Sequence, residues 1–584
     1  MFRRDGHYLN DDNFVFCMST IFEKENYIVK SSDKSIQLSM INNSVGQFIS
    51  KQLLCQQQQT IAVIDVTCNN NKNGNHQITY EDLDKRIRQQ ATKFLTIGLE
   101  KNDLVVMFAD NSFEYLISML AFIYLGITFS PLKPASGCFE LVQQINDSQA
   151  TALWIDKERL TIFEKALREQ SSSSSSIKLK FLLIADNVDE TFLENNIKQY
   201  SIQTIINMKK LTFDQDIKML ERVPYFDTQP DDHLMIIYTS GSTGLPKGAI
   251  HTQTSVLAST FIFRSNQSGI RYLMWYPFGH VSGIFATLKT LCWGQTLILE
   301  KSCQLNKMLK TVEQYQATQL PIAPSHAMDL ATKDYHRQFN LQSLKVISYA
   351  GAKISADIID QIRNKYQVRI SELYGSTEMM GSVMQPFDQI VPQGSVGVPQ
   401  SNNEMKIIDI ETKENLPAFQ QGEICFRGPA RFAGYLRNPK ATNETIDSNG
   451  WYHTGDIGYY DNDGHLYVVD RIKALIKFRH WTISPAEIEL FLQQHSAIDG
   501  VCVVGVKHLT DGQLIRAYVQ PKKGIEISEK ELIQYAKTNL GFHKQLRGGV
   551  QFIDKIKRTA IGKIDRQYYN RLNEGQIFDD PLFD

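Results

Sequence analysis

The sequence predicts an α/β chain of two unequal parts: a large N-terminal domain of layered helices and largely parallel sheets, then a small α+β C-terminal domain. Three observations carry this. At 584 residues the chain is longer than one ordinary hydrophobic core organises. Helix-period stretches such as YEDLDKRIRQQATKFLTIGL (Tyr80–Leu99) alternate with β-rich runs such as DLVVMFA (Asp103–Ala109) and ATALWI (Ala150–Ile155), the pattern of parallel strands joined by crossover helices. After DRIK (Asp470–Lys473) the texture becomes a compact mixture. SPAEIELFLQQH and SEKELIQYAKTNL read as Ser-capped helices, and GVCVVGV and IRAYVQP as strands.

Taken in order, residues 1–40 are polar and irregular and read as an arm, which leaves 41–472 for the large domain and 473–584 for the small one. CQQQQ (Cys55–Gln59), NNNKNGN (Asn69–Asn75) and SSSSSS (Ser171–Ser176) read as surface inserts. YLISMLAFIYLGITFSPL (Tyr115–Leu132) carries no charge over eighteen residues, close to the length of a membrane span. Gly126 and Pro131 interrupt it, so a buried helix, a Gly turn and a strand are the expectation. GEICFRGP (Gly422–Pro429) and GHLYVVDR (Gly464–Arg471) are strands between turn residues.

A net charge of −1 with 42% hydrophobic residues gives no basic excess for nucleic acid or an anionic membrane surface. Eight cysteines without a CxxC pair favour reduced structural thiols over a disulfide frame or a zinc site. MFRRDGHYLNDDNF lacks an apolar signal core and DPLFD is not an SKL-type address, so a cytoplasmic location is the expectation.

The chemistry concentrates around YTSGSTGLPKGAIHTQ (Tyr238–Gln253). Tyr238–Gly248 holds three glycines, two serines, two threonines and Lys247, directly after the apolar run LMIIY. Glycines let backbone N–H groups approach a ligand, hydroxyls donate further, and the lysine adds positive charge, which suits a polyphosphate. The spacing is not that of the common nucleotide P-loop. Five more stretches carry polar groups of the right kind: YPFGHVSGIF (Tyr276–Phe285), YGSTE (Tyr374–Glu378), GWYHTGDIG (Gly450–Gly458), DRIKALIK (Asp470–Lys477) and TAIGKIDR (Thr559–Arg566). Each alone has an ordinary reading as a turn, a connection or a core histidine.

In this order the set resembles the adenylate-forming superfamily, which contains acyl- and aryl-CoA synthetases, 4-coumarate–CoA ligases and beetle-type luciferases. The resemblance runs from about Ile78 to Arg566, and its TSGSTGLPKG core is highly specific. It implies an AMP-binding domain over 41–472 and a mobile lid over 473–584 with its hinge near Lys473. It also implies an acid activated by MgATP to acyl-AMP and pyrophosphate, then passed to CoA. A carboxylate is a poor acyl donor, and such phosphoryl chemistry needs positioning and charge neutralisation more than a covalent catalyst.

By the same resemblance Thr239, Ser240, Gly241, Ser242, Thr243, Gly244 and Lys247 hold the β- and γ-phosphates. Thr377 meets the α-phosphate, Glu378 holds Mg²⁺, and Tyr374 with Gly375 faces adenine. Asp456 takes the ribose hydroxyls with Arg471 nearby. Lys563 bridges the acid's carboxylate and the α-phosphate. His280 lies near that carboxylate, and Val281, Ser282, Phe285, Tyr349, Gly351 and Ala352 line the acyl pocket. Rotation about Lys473 would withdraw Lys563 and present Lys477 and His480 for the thioester step.

This chain departs from the family's pattern at His480, where glycine is usual, at Lys557 and Ile561 before Lys563, and at Leu373, where close plant ligases and luciferases have glycine. An imidazole at 480 would either narrow the path of the pantetheine arm or replace a contact there with its ring. Eighteen residues follow Arg566, too few for a fused carrier domain, so free CoA is the expected thiol. The stretch GHVSGIF offers no acid for an α-ammonium group, so a fatty or aromatic acid is expected over an amino acid. A luciferase-like adenylating oxygenase and a nucleotide-binding sensor with impaired catalysis remain the alternatives.

Overall fold

A computed structural model describes residues 20–23, 27–31, 60–67, 76–170, 177–186, 193, 197, 202–208, 226–239, 246–261, 269–351, 353–385, 391–478, 481–509, 511–540, 544–559 and 562–577. Two large sheets face each other across shared helices. In the eight-stranded sheet, Leu104–Phe108, Thr128–Leu132, Ala152–Ile155, Leu179–Ile184 and Ile202–Asn207 run parallel. Toward its other edge come the antiparallel pair His233–Thr239 and Lys247–Thr252 and then the short edge strand Gly434–Tyr435. In the nine-stranded sheet the parallel run includes Arg271–Met274, Thr296–Leu299, Gln319–Ile322, Val346–Ala350 and Arg369–Tyr374.

The apolar Tyr115–Leu132 stretch sits between these sheets. Ser112 caps the helix Phe113–Leu125 by accepting from the Tyr115 N–H, and every residue from Tyr115 to Leu125 is buried. Gly126, at φ 77°, closes it in the left-handed conformation that a Cβ disfavours. The chain then enters the strand Thr128–Leu132. A helix apolar all round is stable here because residues of both sheets, such as Val105 and Phe129 on one and Val63 and Leu297 on the other, pack into the same core. Among the described residues no helix is long and apolar enough to cross a membrane.

The large domain also holds a third sheet, and there one expectation needs correction. The third sheet of the large domain, six-stranded, is wholly antiparallel. Its strands Glu404–Ile408, Gly422–Arg427, Tyr452–Tyr460 and Leu466–Arg471 each pair antiparallel with the next in the chain's order within the sheet. The N-terminal arm is not wholly irregular: Thr20–Glu23 and Ile28–Ser31 pair, and Ile28–Ser31 joins Glu404–Ile408 at the edge of this sheet. Val29 is fully buried there with Met405, Ile407 and Phe426. The strand forms because that distant edge supplies its partner.

The C-terminal sheet is built on the long hairpin Ile498–His508 and Gly512–Pro521, flanked by Ile476–Phe478, Trp481–Ile483 and Val550–Phe552. Helices Pro485–Leu492 and Glu529–Asn539 carry the serine caps read from sequence, Ser484 and Ser528. A separate core, including Ile488, Val503, Leu514 and Leu532, holds this domain together. Among the described residues Cys138, Cys292, Cys303, Cys425 and Cys502 are free thiols.

Candidate active site

The strand His233–Thr239 ends opposite Lys247, with Thr239 and Lys247 paired in register. Ser240, Gly241, Ser242, Thr243 and Gly244 lie outside the described residues. The described strands on either side of this loop are antiparallel, whereas a P-loop leads from a strand into a helix. Tyr238 donates its hydroxyl to Asp147 and ties the base of the hairpin to the neighbouring helix Cys138–Ser148. The Lys247 ammonium lies 5.1 Å from the Tyr435 ring centre, and the Tyr435 hydroxyl donates to Glu378 Oε1 at 2.8 Å. One aromatic ring thus sits between the loop's cation and the carboxylate expected to hold magnesium.

YGSTE follows the strand Arg369–Tyr374 and is pinned from several sides. His251 donates from Nε2 to the Thr377 carbonyl at 2.9 Å. Burial holds this imidazole down to about 4, so it stays neutral with its proton on Nε2. The Glu378 carbonyl accepts from the Phe432 N–H, and Ser376 pairs with the Tyr452 hydroxyl. Thr377 and Glu378 therefore project from a fixed turn, with Gly375 exposed beside Tyr374.

Asp456 and Arg471 occupy paired positions on neighbouring strands. The Tyr374 hydroxyl donates to Asp456 Oδ2 at 2.7 Å and Arg471 Nε to Oδ1 at 3.0 Å. Burial raises the Asp456 carboxyl above its ordinary range, and Arg471 opposes that rise. Each carboxylate oxygen has a second lone pair with which to accept a ligand hydroxyl. Glu423 fixes the approach to Asp456 by accepting the Gly455 N–H at 3.2 Å, and His453 pairs with Glu423 at 3.2 Å.

Lys563 reaches this site from the small domain. Gly351, at φ +92°, shows how closely: a Cβ built on it would lie 2.4 Å from Lys563 Cε and 2.8 Å from Nζ. Gly351, which the resemblance puts on the acyl-pocket wall, turns its bare face to the lysine. Burial and the charge of Arg471 hold the Lys563 ammonium below its ordinary value, with Asp456 opposing.

His280 caps the helix Val281–Cys292, its Nδ1 accepting the Ser282 N–H at 3.2 Å. Burial, then Lys133 and Lys563, hold it down to about 4, so the neutral ring carries its proton on Nε2 and is a donor there. The turn before it passes so close to another segment that a Cβ on Gly279 would lie 2.6 Å from the Leu132 carbonyl oxygen. Val281 is buried, Ser282 and Phe285 partly so, and Phe285 packs with Leu373 against Ala258, Met384 and Ala430. The Tyr349 hydroxyl donates to Glu372 Oε2 at 2.7 Å, and burial pushes that carboxyl up to about 7.

The structure thus brings together Thr239, Lys247, Tyr374, Thr377, Glu378, Asp456, Arg471, Gly351, His280 and Lys563. Ala352, His480 and the Lys473 side chain lie outside the described residues; the Lys473 backbone forms the single turn Ile472–Ala474 between the domains. Lys477 is exposed on the small domain, where it lines a cleft of about 480 Å³ with Lys507, His508 and Gln513. Sequence reading missed His251, Tyr435, Glu423, His453 and Glu372. Glu372 had one signal, since it shares a strand face with Tyr374.

Two facing sheets with an antiparallel third are thus joined by a small domain that inserts a lysine beside a Tyr–Asp–Arg cluster. Comparison with known families gives the class: residues 52–436 match the AMP-binding enzyme family and 487–563 its C-terminal domain. The chain belongs to this family of adenylate-forming enzymes, which activate a carboxylic acid with ATP. It is 30% identical to a luciferin 4-monooxygenase of Luciola mingrelica over 83% of this chain and 87% of that protein. It is also 30% identical to 4-coumarate–CoA ligase 1 of Arabidopsis thaliana, over 84% and 87%. The fold matches ATP-bound MatB of Rhodopseudomonas palustris with a TM-score of 0.76 and 21% identity, over 91% of this chain and 99% of that one.

Proposed function

We propose that the protein is an AMP-forming acid–thiol ligase that converts a hydrophobic acid, fatty or aromatic, to its CoA thioester. The observation that supports this most is the seating of Lys563 against Gly351, within electrostatic reach of both Asp456 and His280. In the first step a carboxylate oxygen of the acid attacks the α-phosphorus of ATP, and pyrophosphate leaves. Lys563 neutralises charge on the attacking carboxylate and the α-phosphate, where the transition state gains most from it. The His280 Nε2–H orients the acid. Tyr374 faces adenine, Asp456 and Arg471 hold the ribose, and the Thr239–Lys247 loop with Thr377 holds the phosphates.

Glu378 is a hard oxygen donor oriented by Tyr435, and with phosphate oxygens it suits Mg²⁺, which would neutralise phosphate charge. In the second step the CoA sulfur attacks the acyl carbonyl, AMP leaves, and the thiol proton passes to solvent. Val281, Phe285, Tyr349 and Leu373 give the acyl pocket an apolar character that favours hydrophobic acids.

The test is mass spectrometry of products from the purified protein with MgATP, CoA and a mixed panel of fatty and aromatic acids. Acyl-CoA, abolished by Lys563→Ala, is the expected result. Acyl-AMP without thioester would turn attention to His480 and to oxygenase chemistry, since a luciferin 4-monooxygenase is as similar as a ligase; light output with a luciferin then decides. ATP binding without pyrophosphate release would overturn the ligase in favour of a sensor.

A further inference from the structure

Asp470 stands at the large domain's end of the site, where its Oδ1 accepts the Arg471 N–H at 2.7 Å. It lies on the strand Leu466–Arg471, next to the residue that holds Asp456. The turn Ile472–Ala474 follows, and then the small domain. Yet the Asp470 carboxylate reaches across that turn. Its Oδ2 accepts from the Ser484 hydroxyl and, at 3.0 Å, from the Ala486 N–H. Both donors belong to the N-terminal end of the helix Pro485–Leu492, where Ser484 also caps the Glu487 N–H. A carboxylate at this end faces the partial positive charge of unpaired N–H groups.

The same helix is tied to the lysine loop. Its buried Glu489 receives Arg566 through both carboxylate oxygens, at 2.6 and 2.7 Å, and also accepts the Val503 N–H. Arg566 Nε donates to the Val503 carbonyl. Arg566 stands three residues after Lys563, whose turn is closed by Thr559 N–H to the Lys563 carbonyl and Gly562 N–H to the Thr559 carbonyl. One unbroken chain of contacts therefore runs from Asp470 through the helix to the lysine that enters the site.

We propose that Asp470 is a positioning residue whose carboxylate latches the helix Pro485–Leu492 to the large domain and so holds Lys563 in the site for acyl-AMP formation. This rests on the functional reading above. Asp470 stays with its strand, whereas Ser484 and Ala486 move with the small domain, so any turn about residues 472–474 must break the latch. Losing it shifts the balance of domain arrangements away from the one in which Lys563 is seated.

Asp470→Ala and Asp470→Asn test this through two measurements. In each variant, pyrophosphate exchange should fall about tenfold, the worth of a hydrogen bond to a charged group, while thioester formation from supplied acyl-adenylate stays within about twofold of the parent. Hydrogen exchange on the substrate-free protein should speed up at the Ala486 amide and in the Lys563 turn, and stay unchanged in the strand Ile498–His508. Equal loss of both half-reactions, faster exchange in that strand, or no change at all would each overturn the latch. If the parent protein forms no acyl-adenylate with any acid, the functional reading falls, and the hydrogen-exchange comparison still decides the latch.

Discussion

Replacing Gly351 with alanine places a methyl group where the end of the Lys563 side chain now lies. The added Cβ would stand 2.4 Å from Lys563 Cε and 2.8 Å from Nζ, whereas carbon atoms rest about 3.5–4 Å apart. The lysine is flexible and can retreat, so folding is little disturbed by the clash itself. The retreat must be on the order of 1 Å, however, and a misplacement of that size can cost about 100-fold in rate. That corresponds to roughly 2.7 kcal/mol of barrier. The backbone at φ +92° adds a separate strain, about 1–2 kcal/mol against the folded state.

The assay is pyrophosphate exchange beside thioester formation from supplied acyl-adenylate, with thermal melting as the control for folding. Exchange should fall about 100-fold while the second half-reaction is kept. In a Lys563→Ala background the glycine change should add almost nothing, because the two residues act through one contact. Exchange within twofold of the parent, or full additivity with Lys563→Ala, would refute the seating of the lysine on Gly351.

Other outcomes follow from neighbouring contacts. The hydrogen bond from His453 to Glu423 raises the His453 pKa, so the pair's stabilisation is complete below about 6.5 and is lost as pH rises through the raised value. Melting temperature should therefore fall between neutral and alkaline pH in the parent and stay flatter in His453→Gln; equal slopes would contradict the pairing. His280→Ala should lower stability by about 1 kcal/mol through loss of the helix cap, and His280→Asn should restore the cap. Neither variant should recover the parent KM for the acid, which steady-state kinetics at fixed ATP would check. Leu373→Gly opens space beside Phe285, so kcat/KM should shift toward bulkier acids by about tenfold, the worth of a hydrophobic group in such a pocket. An unchanged ranking across an acid panel would place the pocket elsewhere.

Much of the site was legible because its residues lie in short local patterns. Thr239 and Lys247 share one hairpin, Tyr374 to Glu378 share one turn, and Asp456 and Arg471 each sit in a strand bounded by turn residues. The serine caps of the small domain were legible for the same reason, since a cap and its helix are neighbours in sequence. What was not legible depended on partners distant in the chain. His251 is an ordinary strand residue until the Thr377 carbonyl lies beside it. Glu423 and His453 are unremarkable until they meet below Gly455. The N-terminal hairpin looked irregular because four-residue strands carry little pattern of their own, and only the edge at Glu404–Ile408 gives Ile28–Ser31 a partner.

By itself, then, the sequence determined the family and the two-domain order and singled out the polar groups proposed to meet the nucleotide, since hydrophobic period, turn chemistry and loop composition are local properties. The tertiary structure decided where those groups face. It placed Tyr435 between Lys247 and Glu378, set the tautomers of His251 and His280 through burial and the hydrogen bonds of their rings, and brought Lys563 onto the bare face of Gly351. Those facts depend on distances between segments remote in the chain, which no local pattern encodes.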